Sequence, residues 1–183
     1  LKNEGIIVTN GKLNHAGTVA AIKVWDAKEI SNLEIDVTGT SASGNTIDGI
    51  VIQENAAGVD TIKNVTVHST SGQGVDSGIK TNNCGNATEP VIGSMKNVNV
   101  DAKSIGLNVS ALVGTATGCT FKGGVNGIEL WTKGTYSASL TLADCDVVGG
   151  VFAHDEFSTN PDVVNNGTLS LTVDAATTGA DEV

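Results

Sequence analysis

The sequence predicts an all-β fold of the solenoid type, and three observations lead to this prediction. Apolar residues occupy every second position within short segments, which is the periodicity of strands. No segment offers an apolar face with helical periodicity over more than two turns. The segments also recur along the whole chain, and a strand-based repeat of this kind indicates a solenoid. The repeat is marked, at spacings of 21 to 33 residues, by Asn10, Asn32, Asn64, Asn97, Gly118 and Asp144.

Each copy of the repeat contains two predicted strands. The first strand recurs at 21–24, 49–52, 78–81, 106–109 and 127–130. The second recurs at 7–13, 30–37, 62–67, 95–100, 117–121, 142–147 and 169–173. Because alternation buries only one face of a strand, the inward positions of the first strands predict the core. These positions are Ile22, Val24, Ile50, Ile52, Leu107, Val109, Ile128 and Leu130.

The repeated asparagine has a structural explanation. Asparagine tolerates a left-handed backbone, so each copy is expected to bend sharply there, and stacked amides can exchange hydrogen bonds. The phrase Ile62-Lys63-Asn64-Val65-Thr66-Val67 resembles the asparagine ladders of the pectate-lyase-like superfamily. The resemblance extends over residues 5–173 and implies a single-stranded, right-handed parallel β-helix. A β-sandwich with short strands is the alternative.

The length of the chain and the composition of its two ends predict its domain organisation. One domain over residues 1–183 is the default for this length, and it holds about seven coils if each repeat forms one coil. Residues 175–183 are small and acidic, which predicts a frayed tail or a linker. The chain begins at Leu1 without a methionine or a signal sequence, so we expect a mature or excised fragment.

Charge and cysteine content exclude several functional classes. The net charge is −10, and the ten basic residues are all lysines. No basic stripe is available to bind nucleic acid, and no stretch of apolar residues is long enough for membrane insertion. Three scattered cysteines do not form a zinc site. Cys119 and Cys145 are expected to stack at one inward position of adjacent coils, and Cys84 is assigned to a loop.

The resemblance also implies where catalytic groups could lie. Lyases of this superfamily use an arginine or lysine base beside calcium-binding carboxylates, and its hydrolases use aspartate pairs with Gly-His-Gly and Arg-Ile-Lys segments. This chain has no arginine and neither segment, so the sequence favours a non-catalytic role. The candidate catalytic acids that remain are Asp144, Asp146, Asp155 and Glu156.

Asp144 and Asp146 are the closest approach to a carboxylate pair. Alternation would place both on the outer face, about 6.5–7 Å apart. Such a spacing suits an inverting glycosidase or a calcium ion, although a solvated acidic strand edge is the simpler interpretation. Calcium is therefore the one cofactor considered. Alignment of Val151 with Val125 places His154 where Ile128 stands, which predicts an inward histidine near the end of the stack.

An outward column of residues is the most suggestive feature for binding. Aromatic faces stack on sugar rings, and amide side chains hydrogen-bond hydroxyl groups. Alternatively, loops simply cover the aromatic residues. The column predicted from the first strands is Trp25, Gln53, Asn82, Ser110, Trp131 and Phe157. The candidate ligand-binding residues are the members of this column other than Ser110.

Together these features predict a secreted or cell-surface bacterial β-helix without catalytic activity. It would act as an adhesin-like or glycan-contacting module, and its partner would be a polysaccharide, a host or cell-surface glycan, or a protein. A polysaccharide lyase or glycoside hydrolase of the same fold is the first alternative. The second is a structural segment of a longer fibrous surface protein, in which case both ends of the stack should be bare.

Overall fold

The computed structural model describes residues 5–39, 46–53, 57–71, 76–82, 88–133, 135–155 and 167–180. Within these ranges every regular element is a strand, which confirms the predicted all-β fold. The strands are β1 (Ile7–His15), β2 (Ile22–Val24), β3 (Asp26–Val37), β4 (Ile50–Ile52), β5 (Gly58–Ser69), β6 (Ser77–Thr81), β7 (Ile92–Ala102), β8 (Ile105–Val109), β9 (Leu112–Thr117), β10 (Thr120–Gly123), β11 (Asn126–Thr132), β12 (Ala138–Ala143), β13 (Asp146–Val148), β14 (Val151–Asp155) and β15 (Leu169–Val173).

The described strands form two sheets, and their pairings are parallel. The larger sheet has nine strands, with the order β1-β3-β5-β7-β9-β12-β15 and with β10 and β13 beside that path. The smaller sheet has six strands in the order β14-β11-β8-β6-β4-β2. Both orders follow the chain, so each strand pairs with its counterpart in the next copy of the repeat. Parallel pairing between repeats is what the sequence predicts.

The core lies between the two sheets and consists of aliphatic side chains that alternate along the strands. Ile50 and Ile128 are fully buried, as the pattern predicts. Ile22 is the exception among the predicted core residues, because it is only partly buried. It lies on β2, the edge strand of the smaller sheet, and therefore has a strand neighbour on one side only.

The asparagine prediction is confirmed. Asn10, Asn32, Asn64 and Asn97 have φ values of 60°, 50°, 51° and 51°, all in the left-handed region. Their side chains form a ladder: each amide Nδ2 donates to the Oδ1 of the preceding asparagine at 3.0–3.2 Å. Gly118 continues the bend at φ 59° without a side chain, so the ladder ends at Asn97.

Residues 174–180 add a short pairing beside β13. Thr178 donates its backbone N–H to the Cys145 carbonyl and accepts from Val147 N–H. Residues 175–180 belong to the segment assigned from sequence to a tail or linker, and 181–183 lie outside the described ranges. None of the described residues forms a helix that could span a membrane.

Candidate functional site

The outer face of the six-stranded sheet carries the predicted column. Val24 pairs with Ile52, and Ile52 pairs with Thr81. The residues that directly follow these three, Trp25, Gln53 and Asn82, are therefore neighbours at the ends of successive strands. The same relationship, continued through β8 and β11, brings Ser110 and Trp131 into the column.

A groove of about 260 Å³ lies over one half of this face. Its floor comes from β2, β4 and β6, and its wall comes from the segments that precede β2 and β4. Gln53 and Asn82 contribute to it, and Trp25 lies beside Gln53 with 38% of its surface exposed. The lining residues are Thr18, Val19, Ala20, Lys23, Thr46, Asp48, Val51, Gln53, Lys80 and Asn82.

The groove concentrates positive charge on an acidic protein. Lys23 and Lys80 both pair with Val51, from the strands on either side of it. The two lysines are therefore two strand spacings apart, or about 9.6 Å. The carboxylate in the lining is Asp48, which is 3% exposed. Burial raises the pKa of the Asp48 carboxyl, and the nearby Lys80 opposes that shift.

Asp48 and Asp76 also connect adjacent segments of the chain. Asp48 Oδ1 accepts the backbone N–H of Ser77 at 2.7 Å. Asp76 Oδ1 reciprocates by accepting the backbone N–H of Ile47 at 3.0 Å. Because these bonds satisfy buried backbone donors, Asp48 fixes the wall of the groove as well as facing into it.

A second, more enclosed part of the column surrounds Trp131. The indole Nε1 of Trp131 donates to Asn108 Oδ1 at 2.8 Å, and Asn108 Nδ2 donates to Glu129 Oε2 at 2.7 Å. The other carboxylate oxygen of Glu129 lies 3.0 Å from His154 Nε2. Trp131 is therefore half-buried and tied into a polar network, whereas Trp25 is open.

The structure corrects the predicted position of His154. Ile128 pairs with Val151, so His154 lies opposite Trp131 and faces outward. The predicted alignment, which paired Val151 with Val125, was three residues out of register. The His154 ring stacks on Trp131, with centroids 6.4 Å apart, and on Phe152, at 4.8 Å. Phe157, the residue predicted for this position in the column, lies outside the described residues.

The predicted catalytic acids are not gathered into one site. Asp144 and Asp146 are both exposed. Asp144 has φ 53° and lies at the bend between β12 and β13, so the spacing of two residues along a straight strand does not apply. Its backbone N–H donates to Asp174, and the Asp146 carboxylate accepts from Thr178.

Asp155 ends β14, on the other sheet from Asp144 and Asp146. It is half-buried, and its Oδ1 has no hydrogen-bond partner among the described residues. Glu156 lies outside the described ranges. In the part of the chain that the structure describes, no three His, Cys, Asp or Glu side chains are grouped to hold a metal ion.

The two described cysteines are free thiols in the core. Cys119 is 2% exposed and Cys145 is 3% exposed. The hydrogen bond between their side chains, together with burial, raises the pKa of the Cys119 thiol. Both thiols also lie 3.4 Å from backbone carbonyl oxygens, which suits a packing role. Cys84 lies outside the described residues.

Sequence reasoning missed the charged part of the groove. Lys23 and Lys80 precede Trp25 and Asn82 by two residues, so alternation alone places them on the same outer face. The signal was therefore present in the sequence. Asp48 was not detectable in this way, because it lies before β4, outside the alternating segment.

Comparison of the chain with protein-family models, with curated proteins and with solved structures finds no match.

Proposed function

We propose that this chain is a secreted or cell-surface module that binds an acidic glycan without transforming it. We further propose that the two parallel sheets belong to a single-stranded, right-handed parallel β-helix of about seven coils. The asparagine ladder and the pairing of each strand with its counterpart in the next repeat support this fold.

One observation carries the binding proposal: Gln53 and Asn82 line the same groove as Lys23 and Lys80, and Trp25 occupies the neighbouring position of the column, beside Gln53. A ring at Trp25 offers an apolar face to a sugar, and the two amides offer donors and acceptors to its hydroxyl groups. The lysines favour a sugar that carries a carboxylate or sulfate over a neutral one. An extended chain of sugars suits a groove whose polar groups repeat at the strand spacing.

Calorimetric titration with acidic and neutral polysaccharides tests this proposal. Binding should be detectable for an acidic polysaccharide, weaken with salt, and fall at least tenfold in Trp25→Ala and in Lys80→Gln. Ile7→Ala is the matched control, because Ile7 is an exposed apolar residue on the other sheet. Absence of binding to any acidic polysaccharide, or equal losses in the Ile7 control, would contradict the proposal.

Asp48 favours the second candidate function, a lyase or hydrolase acting in the same groove. It is a carboxyl group with a raised pKa in a cleft, and this combination occurs in general acids. Its two hydrogen-bonded oxygens point instead to a structural role. Release of reducing or unsaturated ends, abolished in Asp48→Asn while the protein stays folded, would establish the enzymatic alternative.

A further inference from the structure

In the part of the chain that the structure describes, each sheet ends in an edge strand at which core-facing residues are only partly buried. At the amino-terminal end, β1 and β2 are the edge strands, and a groove of about 430 Å³ runs between them. Leu13 and Ile22 line this groove. At the carboxy-terminal end, β14 and β15 flank a groove of about 310 Å³, lined by Ala153 and Leu171 among others.

The residues in these grooves occupy core positions that lack one neighbour. Leu13 pairs with Ile35, which is fully buried, yet Leu13 is only partly buried. At the other end, Val173 pairs with the fully buried Leu142 but is 40% exposed. In each pair the buried residue has a neighbouring strand on both sides, whereas the more exposed residue has one on a single side. One further layer of strands would bury each end.

The backbone edges at the two ends are complementary in direction. All strand pairs in the described residues are parallel, so β15 of one molecule can pair with β1 of another in the orientation used inside each molecule. The same holds for β14 and β2 in the smaller sheet. Unpaired edge strands readily accept such additions.

The two ends also carry opposite charge. Among the described residues, 5–24 contain two lysines and no acidic residue. Residues 135–155 and 167–180 contain four acidic residues and no lysine. Of these groups, Lys12 and Lys23 line the amino-terminal groove, and Asp155 and Asp174 lie at the ends of β14 and next to β15. Attraction between unlike ends favours a head-to-tail arrangement over either head-to-head arrangement.

We infer that the carboxy-terminal edge of one molecule binds the amino-terminal edge of a second copy of this chain. Such an interface joins two different surfaces, so each added molecule presents a new free edge. The product is a linear, polar assembly whose length depends on concentration. This inference does not depend on glycan binding: the two grooves share Lys23, but β1 supplies most of the lining of the amino-terminal groove and none of the groove beside Trp25.

Sedimentation velocity with end-blocked variants tests the inference. Leu13→Lys should block the amino-terminal edge, and Leu171→Asp should block the carboxy-terminal edge. Each variant alone should be monomeric, and an equimolar mixture should form a dimer and nothing larger, because one usable edge of each kind remains. The wild type should form a concentration-dependent series of oligomers that shortens at high salt.

Val125→Asp is the control, because Val125 is an exposed apolar residue outside both end grooves. It should assemble like the wild type. Circular dichroism of each variant establishes that it is folded, and dimer formation in the mixture shows that both retain a working edge. A wild type that stays monomeric up to millimolar concentration would overturn the inference. So would a mixture of the folded variants that fails to dimerise.

Discussion

Trp131 and His154 lie directly opposite each other on β11 and β14, with their ring planes inclined by only 17°. Their stacking, together with the bonds through Asn108 and Glu129, makes this part of the column a self-contained polar and aromatic network. Trp25, in the same column, has no such network among the described residues and is 38% exposed. The two tryptophans therefore occupy equivalent positions in different environments, and this difference can be measured.

Replacing each tryptophan by phenylalanine should separate the two environments. Trp131→Phe removes the Nε1 donor and leaves Asn108 Oδ1 without that bond, so we expect a loss of about 1–3 kcal/mol in the free energy of unfolding. Trp25→Phe should change it by less than about 0.5 kcal/mol, as is usual for surface positions. Urea titration measures both. Equal effects would show that the Trp131 network does not stabilise the fold.

Truncating a leucine should cost less stability on the terminal strand, which lacks a neighbouring strand on one side, than on an interior strand. Leu140 is 1% exposed, whereas Leu169, another leucine facing the core from the terminal strand β15, is 36% exposed. Leu140→Ala should destabilise the protein by about 2–5 kcal/mol, and Leu169→Ala by less than about 1 kcal/mol. Thermal unfolding of dilute protein measures the difference. A cost at Leu169 as large as that at Leu140 would mean that the carboxy-terminal end is covered in solution.

Two substitutions at Asn64 should separate the backbone contribution from that of the ladder. Asn64→Gly removes two amide hydrogen bonds but accepts the left-handed backbone without strain. Asn64→Ala removes the same bonds and adds a left-handed alanine, which costs about 1–2 kcal/mol more. Alanine should therefore be the more destabilising by chemical denaturation. The reverse order would show that the bend at Asn64 does not require positive φ.

Asp48→Asn and Glu29→Gln should have opposite pH dependences. The pKa of Asp48 is raised, chiefly by burial, so its ionisation lowers stability as pH rises above the ordinary value of 3.8. The pKa of Glu29 is lowered, chiefly by the Ser31 hydroxyl and then by Lys63, so its contribution is present above 4.5 and lost as pH falls. Relative to wild type, Asp48→Asn should gain stability as pH rises through this acidic window, and Glu29→Gln should lose it. Melting curves recorded at a series of pH values around 3.8 and 4.5 give the comparison. Shifts of the same sign in both variants would contradict the opposite pKa directions of Asp48 and Glu29.

The sequence was most informative where a side chain's role follows from its place in the repeat. The buried Ile50 and Ile128 follow from strict alternation, and the left-handed Asn32 and Asn64 follow from a residue type suited to that backbone. His154 was misplaced because Val151 follows Val148 by three residues, whereas their strand partners Lys122 and Ile128 are six residues apart. Alternation cannot detect such a shift between copies.

The groove was harder to predict than the column. Its floor repeats with the strands, but its wall comes from segments such as Thr18 to Ala20 and Thr46 to Asp48, which differ from one copy to the next. Ile22 shows a related limit. Its sequence context matches that of Ile50, yet it is only partly buried on an edge strand where Val24 is fully buried.

The register at the repeated asparagine is kept across connections of different length. Asn10 and Asn32 are 22 residues apart, whereas Asn64 and Asn97 are 33 residues apart. Nevertheless β1 pairs with β3, and β5 with β7, in the register that places the two asparagines of each pair opposite each other. Peptides grafted between strands would therefore leave the spacing of the outward residues unchanged. Segments inserted into successive connections would therefore be held one strand spacing apart, at intervals of about 4.8 Å.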